Sequence, residues 1–337
     1  MSMNERIILA KRPEGLPDES VFTFEEQPLP EPKDREVLVK TLYLSVDPYM
    51  RGRMSDAKSY AKPYDVGQVI GGGAIGRVVE SSDPQCRVGD YVTGNWGWQR
   101  YAAVSTSKLR KINPELAPVT TALGVLGMTG LTAYFGLLDI GQPQSGETVV
   151  VSGAAGAVGM VVGQIAKIKG ARVVGIAGSD EKIKYLVEEL GFDKAINYKT
   201  EDVALALAEA CPDGVDVYFD NVGGDVSDAV LRLINKNARI PICGQIALYN
   251  LEKPDTGPRT QSLLLTNTAL MKGFLIGDYT ERYNEALHEL AEWVRDGKIQ
   301  YVENIVEGFE KTPEAFLGLF SGENLGKQLV KVSEGEA

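Results

Sequence analysis

The apolar positions of this chain change rhythm near residue 129. Before it, short runs such as Glu36–Val46, Gly71–Val79 and Asp90–Val92 are cut by Gly, Pro and Asp. That spacing predicts strands joined by turns, in a compact, barrel-like β-rich domain. From Thr129 onward, β-branched blocks alternate with helical patterns. Thr129–Asp139 predicts a helix, with Leu131, Phe135 and Leu138 on one side. Strands are predicted at Thr148–Val151, Ala171–Ala177, Ala195–Asn197, Val215–Phe219, Ala238–Cys243 and Gly273–Ile276. Helices fall between them, at Ala157–Lys169, Glu181–Leu190, Asp202–Ala210 and Asp225–Ile234. This alternation predicts an α/β unit built on a doubly wound parallel sheet. Near the end, Lys327–Val332 reads as a strand that returns to the first domain. Pro241 lies inside a predicted strand and cannot donate to a ladder, so its nitrogen must face away from a partner or the strand must bulge. The polar stretch Asn250–Thr260 is the expected mobile loop.

One stretch carries chemistry. Thr148–Gly159 runs from a buried strand through small residues into a helix. Strand, tight turn and helix place a pyrophosphate on a helix N-terminus. Gly156 would let the backbone approach the phosphates, and Gly159 would let the helix pack closely on the sheet. The leading glycine of the usual fingerprint is replaced by Ala154, so the motif is AxGxxG. At the end of the second strand, an NAD site would want an acid for the ribose hydroxyls. The chain instead has Gly178-Ser179, with Lys182 beyond. A hydroxyl and an ammonium suit a 2′-phosphate, so the expected coenzyme is NADP(H). Two other readings stay open: Asp180 could face a ribose, and Ser179 could cap the next helix with Lys182 solvated in its first turn.

Charge and cysteine content narrow the function further. The 337 residues carry a net charge of −11, which argues against nucleic acid or an anionic membrane as the main partner. No apolar run reaches membrane-spanning length and the N-terminus lacks an apolar signal core, so a cytoplasmic protein is expected. The three cysteines, Cys86, Cys211 and Cys243, are far apart, which makes a disulfide framework unexpected. With a single histidine, His288, no zinc-ligand set is recognisable, and no metal is expected. His288 falls off the apolar stripe Tyr283, Leu287, Leu290 and Val294, which places it on the surface. Cys243 reads as a small buried hydrophobe.

Several motifs in order bring a family into view: Leu44–Arg51 (LSVDPYMR), Gly124–Tyr134 (GVLGMTGLTAY), Ala154–Gly159 (AAGAVG), Gly178–Lys182 (GSDEK), Asn197–Lys199 (NYK), Phe219–Gly224 (FDNVGG), Ile242–Asn250 (ICGQIALYN) and Asn324–Lys327 (NLGK). Over essentially its whole length the chain resembles the zinc-independent branch of the medium-chain dehydrogenase/reductase superfamily. Within that branch it is similar to the NADP-dependent alkenal, leukotriene B4 dehydrogenase/prostaglandin reductase and curcumin reductase group. Asp47–Asp56 points to the curcumin-reductase side. The resemblance implies a GroES-like catalytic domain (1–126 and 299–337) and a Rossmann domain (127–298), assembled as a homodimer. It implies that Ala155, Gly156, Ala157 and Val158 line the pyrophosphate turn. Ser179, Lys182 and Tyr198 would meet the 2′-phosphate, and Asn221 a ribose or neighbouring backbone. Cys243, Gly244, Gln245, Ile246 and Tyr249, with Phe274, Leu275 and Ile276, would flank the nicotinamide, and Asn324 would close on the coenzyme.

The implied reaction is NADPH-dependent reduction of the C=C bond of a small α,β-unsaturated aldehyde or ketone. Charge develops on the carbonyl oxygen and needs a donor. Tyr249 is the candidate, with the coenzyme ribose as partner, while Tyr49 and, more weakly, Tyr64 would wall the substrate pocket. Thr129 stands where relatives commonly have Pro, which implies a less rigid turn. Gln245–Leu248 is less polar than in relatives and bears on substrate range. Quinone reduction, alcohol dehydrogenation and non-catalytic NADPH binding are the competing readings.

Overall fold

The computed structural model describes residues 3–334, which divide into two compact units. The first comprises residues up to Leu123, Glu303–Asn324 and the segment from Gln328. Strands β1 (Met3–Leu9) and β2 (Phe22–Pro28) pair as an antiparallel hairpin. A second, seven-stranded sheet has the order β14-β15-β3-β4-β5-β7, with β6 added against β3. Its members are β3 (Glu36–Ser45), β4 (Ala74–Ser81), β5 (Tyr91–Gly94), β6 (Tyr101–Ser105), β7 (Arg110–Ile112), β14 (Glu303–Glu307) and β15 (Lys327–Lys331). The C-terminal strand does pair with β3, Leu329 opposite Ser45. Ile7, Leu9, Val37, Val39, Trp98, Phe309 and Phe316 fill the core. Helices α1 (Tyr49–Arg53) and α9 (Thr312–Ser321) complete the unit.

The second unit comprises Gly124–Val302 and Leu325–Lys327. Its six strands are β8 (Thr148–Ser152), β9 (Arg172–Ala177), β10 (Lys194–Asn197), β11 (Val215–Phe219), β12 (Ile234–Ile242) and β13 (Leu270–Gly273). All pair in parallel, in the order β10-β9-β8-β11-β12-β13. Strand residues sort by parity. Val149, Val151, Val173, Val217 and Phe219 face one core, while Val150, Val174, Tyr218 and Ile240 face the other. Helices α2 (Met128–Phe135), α3 (Gly159–Ile168), α4 (Asp180–Glu188) and α8 (Tyr283–Arg295) add apolar residues to the first core. Helices α5 (Val203–Ala210), α6 (Gly224–Leu231) and α7 (Gln261–Thr266) add to the second. Both faces are covered, which is why these strands are continuous apolar runs.

Three expectations need correction, and the alternatives at Pro241 are narrowed. The helix read at 129–139 stops at Phe135 and widens into a π-turn, Gly136–Gly141, closed by Gln142 at φ +44°. The widened turn sets Gly136 beneath two rings: a Cβ there would lie 2.4 Å from Phe274 and 2.7 Å from Phe219. The helix read to Ile234 ends at Leu231, because Ile234 opens β12 opposite Val215. The last strand is Leu270–Gly273, not 273–276. Phe274 leaves the ladder to pack on Phe219, and Ile276 starts a 3₁₀ turn. Pro241 takes part in pairing through its carbonyl, which accepts from Asp220 N at 3.0 Å. The bulge lies upstream, between Ile234 and Arg239, with Asn237 at φ +64°.

Thr129 sits in the first turn of α2, 5% exposed, and its hydroxyl has no hydrogen-bond partner among the described residues. An unsatisfied buried hydroxyl costs about 1–3 kcal/mol. Thr129→Val keeps the shape and removes that group, so a gain of about 1 kcal/mol is expected in denaturant unfolding. A loss of stability would mean that a buried water serves the hydroxyl.

Candidate active site

Strands β8 and β11 are neighbours at the centre of the parallel sheet, and the chain leaves them toward opposite edges. This is the switch point of the sheet, and in open parallel sheets ligands bind outside the carboxyl ends of the strands at such a point. Ser152 ends β8. Its Oγ donates to Asp220 Oδ1 at 3.0 Å and accepts from Asn221 N at 3.0 Å. The same carboxylate oxygen accepts from Tyr218 OH at 2.8 Å, Val222 N at 3.0 Å and Gly223 N at 2.9 Å. Asp220 is fully buried, so these donors fix the turn after β11. Asn221 Nδ2 donates to Ser152 O at 2.7 Å, which ties the half-buried amide to the end of β8.

The tight turn after β8 is made by Gly153, at φ +59°, and not at Ala154, which is fully buried. A Cβ at Gly156 would approach only Gly153 O, at 3.3 Å, so the outer side of this residue is open. At Gly159 a Cβ would lie 2.3 Å from Gly153 O and 2.7 Å from Ala154 Cα, so α3 packs directly on the turn. Ala157 and Val158 are half-buried at the entrance to α3, where a helix presents its first N–H groups to an anion. Ala155 is buried, and its carbonyl accepts from Gly326 N at 2.9 Å. Asn324 lies two residues ahead of that glycine and is half-buried.

At the end of β9, Ser179 caps α4, its Oγ accepting from Lys182 N at 3.3 Å. The capping reading holds, and the hydroxyl keeps a proton to donate. Tyr198 and Lys199 follow β10 and cover Gly178. A Cβ on Gly178 would lie 2.8 Å from the Tyr198 ring and 3.2 Å from Lys199 Cε. Burial, and then the charge of Lys199, push the Lys182 ammonium below the usual lysine range. Two like charges, Lys182 and Lys199, thus lie near one another at the start of α4, an arrangement that favours an incoming dianion. Asp180 Oδ1 accepts from Asn197 Nδ2 at 2.7 Å, so this acid is held by β10.

After β12, Cys243 N and Gly244 N donate to Asp220 O at 2.8 and 3.1 Å. The Cys243 thiol is pushed up to about 12 by burial and by Asp220, and it stays protonated. Gln245 packs on Gly223, whose Cβ position is 3.2 Å away. Ile246 N and Ala247 N bond to Asn221 O and Val222 O at 3.4 and 3.0 Å. Tyr249 folds back over this loop, its hydroxyl accepting from Gln245 N at 3.3 Å. Phe274 stacks edge-on to Phe219, while Leu275 is exposed and Ile276 half-buried.

The first unit holds Tyr49 and Tyr64. Tyr49 opens α1 half-buried, and burial and Asp47 raise its phenol well above the usual range. Tyr64 has no accessible surface. Its hydroxyl donates to Gly71 O at 2.7 Å and its ring lies under the Arg53 guanidinium. As placed it is a packing residue, which corrects its reading as a pocket wall.

Residues 5–112 match the family described as N-terminal domain of oxidoreductase, and residues 157–292 match the one described as Zinc-binding dehydrogenase. YfmJ of Bacillus subtilis (strain 168) is 62% identical over 98% of both chains. The NADPH-dependent curcumin reductase of Escherichia coli (strain K12) is 48% identical over 98% of this chain and 97% of its own. The crystal structure of CurA in complex with NADPH, from Vibrio vulnificus, superposes with a TM-score of 0.95 at 46% identity, covering 98% of this chain and 99% of that one. The chain belongs to the medium-chain dehydrogenase/reductase superfamily, in its alkenal, prostaglandin and curcumin reductase group. The superfamily's parallel sheet and separate antiparallel β-rich unit are both present. Four residues here drew no individual role from the sequence, although three of them, Asn197, Lys199 and Asp220, fall within motifs that carry the family resemblance. Gly153, Asp220 and Asn197 stand out only through their backbone angle or their partners, and Lys199 only through its nearness to Lys182.

Proposed function

We propose that this protein reduces the C=C bond of α,β-unsaturated aldehydes and ketones with NADPH. The observation that carries the reading is the pairing of an open glycine at the phosphate turn, Gly156, with the two lysine charges near the start of α4. The first admits a pyrophosphate and the second a 2′-phosphate. The curcumin-reducing relative supports the substrate class, since curcumin is an enone. When bound, NADPH supplies a hydride to the β-carbon of the alkene.

The chain's own residues do the rest. Ala155 to Val158 bind the pyrophosphate through backbone, and Ser179, Lys182 and Tyr198 hold the 2′-phosphate. The loop Cys243 to Tyr249, the segment Phe274 to Ile276, Asn221 and Asn324 orient the remainder of the coenzyme. Tyr249 donates a hydrogen bond to the carbonyl oxygen as negative charge develops there. By accepting from Gln245 N, its hydroxyl becomes a stronger donor. Tyr49 borders the substrate, and solvent protonates the α-carbon. No metal is needed. His288 lies on the surface beside Glu292, and among the described residues no group of three or more His, Cys, Asp or Glu could hold an ion.

The test is NADPH consumption with alkenals, enones, diarylheptanoids and quinones side by side. Turnover of enones above quinones, and NADPH above NADH, is the expected result. Faster quinone turnover, or coenzyme binding with no consumption, would replace the reading. A pH series adds a second check. Because burial and Lys199 depress the Lys182 ammonium, its charge is lost before that of an ordinary lysine, which titrates near 10.4, as pH rises. NADPH affinity should fall with that loss while NADH affinity holds; parallel curves would remove Lys182 from the phosphate site.

The protein is further proposed to be a cytoplasmic homodimer. Among the described residues β13 is the edge strand, paired with β12, and it exposes Leu270, so a second copy can extend the sheet across a two-fold axis. Free thiols at Cys86, Cys211 and Cys243 suit a reducing compartment. Light scattering of the purified protein should give twice the chain mass.

A further inference from the structure

At the end of β10, one buried side chain touches both determinants of coenzyme choice. Asn197, 4% exposed, donates its amide to Asp180 Oδ1 at 2.7 Å and accepts from Lys199 N at 3.1 Å. Asp180 opens α4 three residues past the end of β9, near the place where an acid would read a ribose diol in an NAD site. Its carboxylate is instead drawn toward β10. Lys199 lies on the same rim, with its stem over Gly178, beside Tyr198. Its own charge is close enough to Lys182 to depress that ammonium.

We infer that Asn197 is a positioning residue for coenzyme selection, withholding the Asp180 carboxylate from a ribose diol and presenting Lys199 as a second cation to the 2′-phosphate. The inference rests on the NADPH reading and adds to it two residues and a mechanism of discrimination. One amide acts in both directions, against a bare diol and for a phosphate, because its two ends are fixed by opposite partners.

Calorimetric titration with NADPH, NADH and 2′,5′-ADP tests it. Lys199→Gln, at an exposed position, should weaken NADPH and 2′,5′-ADP about tenfold, the loss of one charge-assisted hydrogen bond, and leave NADH unchanged. Asn197→Ala should weaken NADPH and tighten NADH, and adding Asp180→Asn to it should abolish the NADH gain. Asp180→Asn alone should leave NADH unchanged. If Lys199→Gln leaves NADPH binding intact or weakens both coenzymes equally, the inference falls. It falls equally if Asn197→Ala weakens both coenzymes together. If the unaltered protein binds NADH as tightly as NADPH, or ignores 2′,5′-ADP, the NADPH reading itself fails.

Discussion

A Tyr249→Phe protein is expected to reduce enones about a hundredfold more slowly than the unaltered enzyme, the cost of removing one donor from a developing oxyanion. The substitution removes the hydroxyl that lies 3.3 Å from the Gly244 Cβ position and accepts from Gln245 N, and leaves the backbone of the loop in place. The loop beneath it is held by backbone bonds from Ile246 and Ala247 to the turn after β11, and these do not involve the phenol. NADPH affinity should therefore stay within about twofold, well under one hydrogen bond's worth. Single-turnover rates with saturating NADPH separate the two quantities. An unchanged rate would take Tyr249 out of the chemistry and leave a water as donor. A joint loss of rate and affinity would make it a support for the loop alone.

The second large effect divides two glycines that a motif treats alike. Gly159→Ala puts a methyl 2.3 Å from Gly153 O and 2.7 Å from Ala154 Cα, both backbone atoms of a turn held at positive φ. No side chain can yield, so α3 must lift from the sheet. A destabilisation of about 3 kcal/mol is expected, at the upper end for overpacking. For a unit of this size that is a fall of roughly 6–12 °C in melting temperature. Gly156→Ala meets only one atom, at 3.3 Å, and should leave melting nearly unchanged. Its methyl would point where the coenzyme's phosphates approach, and NADPH binding should weaken at least about tenfold. The thermal scan and the coenzyme titration should therefore rank the two variants in opposite order. Equal melting points for both would show that the helix is less tightly seated than its distances indicate.

Much of the parallel sheet was legible because its strands are buried on both sides. Thr148–Ser152 and Val215–Phe219 are apolar or β-branched at nearly every position, and only a central parallel strand asks for that. The ends of elements were less legible, for a tertiary reason each time. Phe274 is as apolar as a strand residue, yet Gly136 and Phe219 offer it a better burial outside the ladder. The Met3–Leu9 and Phe22–Pro28 hairpin carries charged residues on its exposed face, and its pairing across residues 10–21 left no period to follow. In the site, the glycines, Ser179 and Lys182 stood out by type and order. Asp220 and Asn197 did not, since an Asp or Asn after a strand reads as a turn former until its partners are known. Tyr64 erred the other way: a tyrosine near a motif invites a role, while its position beneath Arg53 makes it part of the interior.

The three residues Leu325–Lys327 belong to the parallel-sheet unit although the chain on either side of them belongs to the other. Gly326 is what lets them do so. It sits at φ +72°, where a side chain would strike Val302 O at 2.1 Å, and its N–H closes on Ala155. Hybrids made by exchanging residues 124–302 between relatives would therefore keep one parent's clasp on the other parent's phosphate turn. Such chimaeras should work only between parents that share this glycine, and shuffling experiments will do better to move the tripeptide along with the block.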